Sequence, residues 1–135
     1  MKKILLIAFL LLPILSFSQI DKIGYSKSKL ISSMDGNPCK TDYDGIWYCT
    51  DNGTLIKYTF SNDQVSKVFY MWEFSSKYEA DADIRSEISK ARSQFGAAVT
   101  KDDKTFWFVG DLLVMIAYGY TNGKHYSTWS VEKRQ

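Results

Sequence analysis

Histidine is nearly missing from this chain and thiols are scarce. His125 stands alone, and Cys39 and Cys49 are the only cysteines among 135 residues. A four-ligand zinc site needs more donors than these. The redox Cys-x-x-Cys is absent, as are G-x-S-x-G, H-E-x-x-H, the P-loop and the glycine-rich dinucleotide fingerprint. Basic clusters are lacking too. The chain carries 17 Lys and Arg against 15 Asp and Glu, and two of the cations are Lys2 and Lys3 at the very start. The remainder is balanced, which argues against a nucleic-acid footprint. Disorder is at odds with an aromatic content of 16%.

Long apolar runs are limited to one. Met1-Lys2-Lys3 precedes the apolar residues 4–15, and Ser16-Phe17-Ser18 supplies small residues at the exit. A basic start, a short apolar stretch and a small-residue exit form a secretory signal peptide. The competing reading is a membrane anchor. The run falls short of the roughly 20 residues that span a bilayer, and Pro13 interrupts it. The expectation is therefore cleavage near Ser18-Gln19, with residues 19–135 as one domain, periplasmic or secreted, and no stable membrane anchor. No cysteine follows the run before Cys39, which speaks against a lipid-anchored form.

Export bears on the two cysteines, because disulfides persist outside the reducing cytosol. Between them lies Asp42-Tyr43-Asp44-Gly45-Ile46, a turn signal. A three-residue loop of Tyr43, Asp44 and Gly45, with glycine at positive φ, would set Thr41 opposite Trp47, Lys40 opposite Tyr48 and Cys39 opposite Cys49. The expected product is a Cys39–Cys49 disulfide that staples one hairpin, adding about 2–3 kcal/mol at most. The alternative is a pair of buried free thiols.

Comparison of the chain with itself at a shift of about 60 aligns Gly36, Asp42, Trp47, Asp51, Ile56, Tyr58 and Asn62 with Gly96, Asp102, Trp107, Asp111, Ile116, Tyr118 and Asn122. Cys39 and Cys49 then match Val99 and Val109, an apolar pair suited to cross-strand contact. Each copy opens with a helix. The first spans about 27–34, with Ser26 as N-cap and Gly36 beyond the end. The second starts with the capping box Ser76-Lys77-Tyr78-Glu79. It carries Ile84, Ile88, Ala91 and Phe95 at helical spacing and ends at Gly96. Glu79, Asp81 and Asp83 complement the helix dipole, and a calcium site is the lesser reading. Strands follow at 38–42, 45–51, 54–61 and 65–74, then at 97–101, 105–110, 112–120 and 125–133. The expected fold is α+β. Two tandem helix-plus-antiparallel-strand repeats (about 22–74 and 76–134) form one continuous antiparallel sheet with both helices on one face.

Strand alternation then distributes side chains. Trp47, Ile56, Tyr58, Phe69, Met71, Trp107, Val109, Ile116, Tyr118, Trp129 and Val131 are expected under the helices. Ile46, Tyr48, Leu55, Val68, Tyr70, Trp72, Phe106, Phe108 and Met115 are expected on the far face. An uncovered sheet face is usually polar, so such a surface has the composition of a recognition patch. Tyr48, Tyr70, Trp72, Phe106 and Phe108 are the candidate binding residues. The alternatives are that loops or the N-terminal segment cover this face, or that a one-residue slip has exchanged the two faces.

Ile23-Gly24-Tyr25-Ser26, Leu30, Met34, Gly36-Asn37-Pro38 and Trp47-Tyr48 resemble the SmpA/OmlA-like motif of small outer-membrane assembly lipoproteins. The doubled arrangement is similar to the tandem-repeat protein inhibitors of β-lactamases. The resemblance covers about residues 23–74 and carries no catalytic residue. Asp35 is an extra residue before the glycine, and the second copy lacks Gly-x-Pro. What it implies is one sheet that grips a protein partner.

Function is thus expected to be that of an exported binding module, a protein inhibitor or envelope accessory protein. The alternative is a carrier of a small apolar ligand. His125 is read as a hairpin residue and Asp102-Asp103 as turn neighbours. Neither makes an active site, and no cofactor or metal is expected.

Overall fold

The computed structural model describes residues 21–50 and 53–134. The leader, its cleavage point and the Asp51-Asn52 part of one expected turn lie outside the described residues. The order is α1 (Lys27–Ser33), β1 (Lys40–Thr41), β2 (Gly45–Cys49), β3 (Thr54–Ser61), β4 (Gln64–Phe74), α2 (Lys77–Phe95), β5 (Val99–Lys101), β6 (Lys104–Val109), β7 (Leu112–Thr121) and β8 (Lys124–Lys133).

Local chemistry accounts for most boundaries. Ser26 Oγ accepts the Lys29 N–H at the start of α1, and Ser76 Oγ accepts the Glu79 N–H at the start of α2. Glu79 itself accepts a 2.6 Å bond from Ser75 Oγ. Gly96 closes α2 at φ +87°, donating its N–H to Arg92 O at 2.9 Å. Three hairpins turn on residue pairs at positive φ: Asn62-Asp63, Asp102-Asp103 and Asn122-Gly123. Two-residue turns of this hand match strand twist, and Asp or Asn tolerates the conformation. That is how the glycine-free Asp102-Asp103 turn works.

The eight strands of the described residues form one antiparallel sheet in the order β1-β2-β3-β4-β8-β7-β6-β5. The seam is β4 against β8, where Tyr70 sits opposite Trp129. Both helices cover the same face. Leu30 of α1 and Ala91 of α2 share one buried cluster with Ile46, Tyr48, Ile56, Tyr58, Val68, Tyr70, Trp107, Val114, Ile116, Trp129 and Val131. Met34, Ile84, Ile88 and Phe95 pack on its margin.

The observed faces correct the sequence reading in the first half of the chain. Tyr48, Tyr70, Trp72, Ile46 and Val68 point toward the helices, whereas Trp47, Phe69 and Met71 point away. Two insertions cause this. In β4 the register against β3 slips, with Thr59 opposite Lys67 but Phe60 opposite Val65, so Ser66 is an extra residue. No such slip occurs between β7 and β8. One added residue inverts every side chain beyond it. In β2 the path from Cys49 to its partner Leu55 is longer, by an odd number of residues, than the Gly110-Asp111 turn between Val109 and Leu112. Trp47 and Trp107 therefore occupy opposite faces and do not correspond.

The cysteine hairpin also differs in register. Lys40 faces Trp47 and Thr41 faces Ile46, around the two-residue turn Tyr43-Asp44. Cys39 N–H also donates to Trp47 O at 2.9 Å, so Cys39 and Lys40 both meet one residue. This bulge-like step brings Cys39 to the side that Cys49 occupies. The disulfide forms, with a Cα–Cα distance of 5.8 Å. Gly45 serves close approach and not positive φ. A Cβ there would lie 2.5 Å from Tyr58 O. Replacing Gly45 with Ala should therefore destabilise the chain by about 1–3 kcal/mol, read from urea denaturation midpoints.

Candidate binding surface

Strand alternation leaves the face opposite the helices with its own set of side chains. One register row crosses seven strands, running Trp47, Lys57, Phe69, Ser130, Met115, Phe106 and Val99. The next runs Cys49, Leu55, Met71, Thr128, Ala117 and Lys104, and another adds Leu113 and Phe108. None of these residues belongs to the buried cluster under the helices. Phe108 is 56% exposed and Val99 49%, while Trp47, Leu55, Phe69, Met71, Leu113, Met115 and Phe106 are half-buried. The middle of the face is small. Ser130, Thr128 and Ala117 lie low between larger neighbours, and Thr128 Oγ1 donates to Ala117 O at 2.9 Å.

Trp47 is the most constrained side chain on this surface. Its indole Nε1 donates to Asp42 Oδ2 at 2.8 Å, and the Lys57 ammonium sits 5.3 Å from the ring centroid. Lys57 in turn reaches Asp44 at 3.2 Å and Asp42 at 3.7 Å. Beside the ring, Cys39, Lys40, Cys49 and Leu55 complete a shallow cavity of about 320 Å³. The disulfide therefore forms part of the wall. At the other end of the face, Phe106 and Phe108 meet edge to face at 6.0 Å, and the Arg134 guanidinium lies 4.8 Å from the Phe108 ring. Large rigid rings with few torsions lose little entropy on contact, which suits them to anchor a partner.

Of the five residues expected to bind, only Phe106 and Phe108 are on this face. Tyr48 and Tyr70 are 4% and 5% exposed on the helix side, and Trp72 stacks on Tyr70 at 5.5 Å. Trp47, Phe69, Met71, Leu55 and Met115 are the members that lie with Phe106 and Phe108. Strand alternation in the sequence puts Leu55 and Met115 on this face but Trp47, Phe69 and Met71 on the other. The hairpin signal was visible around Trp47, but its direction hung on register.

The helix side carries a different feature. The hydroxyls of Tyr48, Tyr70 and Ser127 are buried with no hydrogen-bond partner among the described residues. Burial raises the Tyr48, Tyr58 and Tyr70 phenols above the ordinary tyrosine range, and neighbouring phenols add to this at Tyr58 and Tyr70. Tyr58 Oη contacts Met34 Sδ at 3.7 Å. These groups stay neutral at any physiological pH.

His125 is half-buried on β8 and pairs with Tyr120. Its Nδ1 lies 2.7 Å from Tyr118 Oη, and the Tyr120 ring is 5.1 Å from its own. His125 thus lies in the hairpin, as expected, with its ring packed against Tyr118 and Tyr120. No group of three or more His, Cys, Asp or Glu able to hold a metal occurs among the described residues. No helix among them is long and apolar enough to cross a membrane.

Comparison with known proteins returned no matching family model, no matching curated protein and no matching solved structure.

Two outcomes follow from these environments. The Trp47 hydrogen bond is the main cause holding the Asp42 carboxyl below its usual range, with Lys40 and Lys57 adding to it against desolvation. A depressed carboxylate contributes stability above its unfolded pKa and loses it as pH falls through the folded value. Asp42→Asn should flatten the acid limb of the stability profile below about pH 4, because it removes the charge while leaving an acceptor for the Trp47 indole. Separately, Tyr70→Phe should be neutral or stabilising by about 1 kcal/mol, because it removes a buried hydroxyl that lacks a partner. Thermal denaturation measures that.

Proposed function

We propose that this chain is an exported, non-catalytic binding module that recognises a protein partner through the sheet face opposite its helices. The observation that carries the reading is the mainly apolar set of outer-face side chains between Trp47 and Val99, which contributes nothing to the core under the helices. An antiparallel sheet with one wet face ordinarily alternates apolar and polar residues. Here the outer positions of β2, β3 and β4 on one side of β8, and of β7 and β6 on the other, hold Trp47, Leu55, Phe69, Met71, Leu113, Met115, Phe106 and Phe108. Contiguous apolar area of this kind marks interaction surfaces. Trp47 at one end and the Phe106–Phe108 pair at the other are the anchors, Lys40 and Arg134 form a polar rim, and Lys57 lies between Trp47 and Phe69.

Export is part of the same reading. It rests on the leader pattern at residues 1–18 and on the Cys39–Cys49 disulfide, which suits an oxidising compartment. The organisation as two copied units belongs here as well. Helix–four strands occurs twice in the element order, and the shift of 60 that relates β3 to β7 becomes 59 beyond the Ser66 bulge. At that shift Tyr70 is the counterpart of Trp129, its own cross-strand neighbour at the seam. The likeness to tandem inhibitor proteins supports the idea of a gripping sheet, with the gripping residues reassigned to the observed outer face.

One observation favours a second reading, a carrier of a small ligand. Tyr48, Tyr70 and Ser127 turn unpartnered hydroxyls into the helix-side interior beside Trp72. A ligand there would be mostly apolar with one or two hydrogen-bonding atoms.

A single set of variants separates the two. The wild-type chain, Phe108→Glu, Trp47→Ala and Tyr70→Phe are each used to capture proteins from an envelope extract, with bound species identified by mass spectrometry. The outer-face reading expects a partner lost at least tenfold by Phe108→Glu and Trp47→Ala and retained by Tyr70→Phe. Retention by all three variants sinks it. Binding of a fluorescent apolar dye abolished by Tyr70→Phe alone would establish the carrier reading instead.

A further inference from the structure

We propose that the Cys39–Cys49 disulfide guards a sheet edge: it clamps β1 over the backbone of β2, and its reduction frees β2 to pair with β2 of a second copy. The sheet ends in β1 on one side and β5 on the other. Such edges offer unpaired N–H and C=O groups to any passing strand, and proteins blunt them by charge, brevity or cover. The β5 side is blunted by charge, since Lys101 stands directly opposite Lys104. The β1 side relies on cover. Behind β1 lies Gly45-Ile46-Trp47-Tyr48-Cys49, a segment without charge or proline and rich in strand-forming residues.

The cover is light. Its two residues, Lys40 and Thr41, are both exposed and bury no apolar side chain. Cys39 N–H bonds Trp47 O, and Asp42 N–H bonds Gly45 O, each at 2.9 Å. Asp42 also takes the Trp47 indole N–H, and that holds the turn end of the hairpin. The open end, at Cys39 and Lys40, is held by the disulfide, the Cys39 bond to Trp47 O and the single ladder pair of Lys40 with Trp47. Both sulfur-bearing residues are exposed, so a thiol can reach them. Because both backbone groups of a strand residue point the same way, lifting this end bares the N–H and C=O of Trp47. An antiparallel copy of β2 can then bond at that point.

The chemical step is thiol–disulfide exchange with a dithiol. One reductant thiolate attacks a protein sulfur and expels the other cysteine as thiolate. The second reductant thiol then displaces the mixed disulfide. Two protein thiols form, and the dithiol becomes a disulfide. Neither this step nor the pairing requires a partner on the open face.

The test is sedimentation equilibrium of the full mature chain, oxidised and in dithiothreitol, over a hundredfold range of concentration, with far-ultraviolet circular dichroism alongside. The expected result is an unchanged strand signal and a weight-average mass that rises to twice the oxidised value on reduction. The Cys39→Ser/Cys49→Ser double variant should show the same doubling without reductant. Adding Trp47→Pro, which deletes the edge-facing N–H, should restore the lower mass, and Trp47→Lys should do so by charge if the proline variant does not fold. Equal mass in both redox states overturns the proposal. So does loss of the strand signal on reduction, which would make the disulfide a staple of the whole fold. Association that survives both Trp47 substitutions overturns the pairing through β2.

Discussion

The pairing of β4 with β8 is the constraint on which the rest of this molecule depends. It runs from Lys67 opposite Glu132 to Phe74 opposite His125 and joins two four-strand groups that the chain connects through α2. At its centre the Tyr70 and Trp129 rings lie 4.6 Å apart, and Trp129 is the largest fully buried side chain among the described residues. Aromatic pairs of this kind add to the burial of area alone. The seam has two effects at once. It makes one sheet wide enough to bury a core under two helices of very unequal length, and it carries a continuous outer face across both halves.

Which residues occupy that outer face is decided by parity. Ser66 is one extra residue in β4, and it turns Val68, Tyr70 and Trp72 inward while Phe69 and Met71 turn outward. A length difference between two connections does the same to Trp47 relative to Trp107. The energetic consequence is large for so small a change. Tyr70 is buried with its hydroxyl unpartnered, and Trp47 becomes a half-buried platform fixed by Asp42 and Lys57. A bulge in the hairpin next to the seam thus sets what the protein shows to its surroundings.

Local signals were legible residue by residue. Ser26 and Ser76 cap their helices, Gly36 and Gly96 follow the ends, and Ile84, Ile88, Ala91 and Phe95 face the core as their spacing requires. The Cys39–Cys49 bond was readable from a turn signal between two thiols, although the turn is one residue tighter than expected and Gly45 lies in the strand. In the second half even the faces were readable, because β6, β7 and β8 pair without a slip. In the first half they were not. A bulge leaves no compositional mark at Ser66, and an alignment at a fixed shift carries side chains to the wrong side beyond it. The candidate site suffered most, since three of its five expected members sat on the bulged or re-registered strands.

The sequence by itself determined the class of fold, the boundaries of helices and strands, the disulfide and the absence of any familiar catalytic motif. Those properties rest on interactions within a few residues: caps, turns, alternation and composition. Only the tertiary structure decided that β4 meets β8, and that Trp47, Phe69, Met71, Phe106 and Phe108 stand together on the face opposite the helices. Register between strands is a cooperative choice among distant segments, settled by which alternative buries Trp129, Tyr58 and Val131 best. A single chain of letters states the alternation of a strand but not its phase.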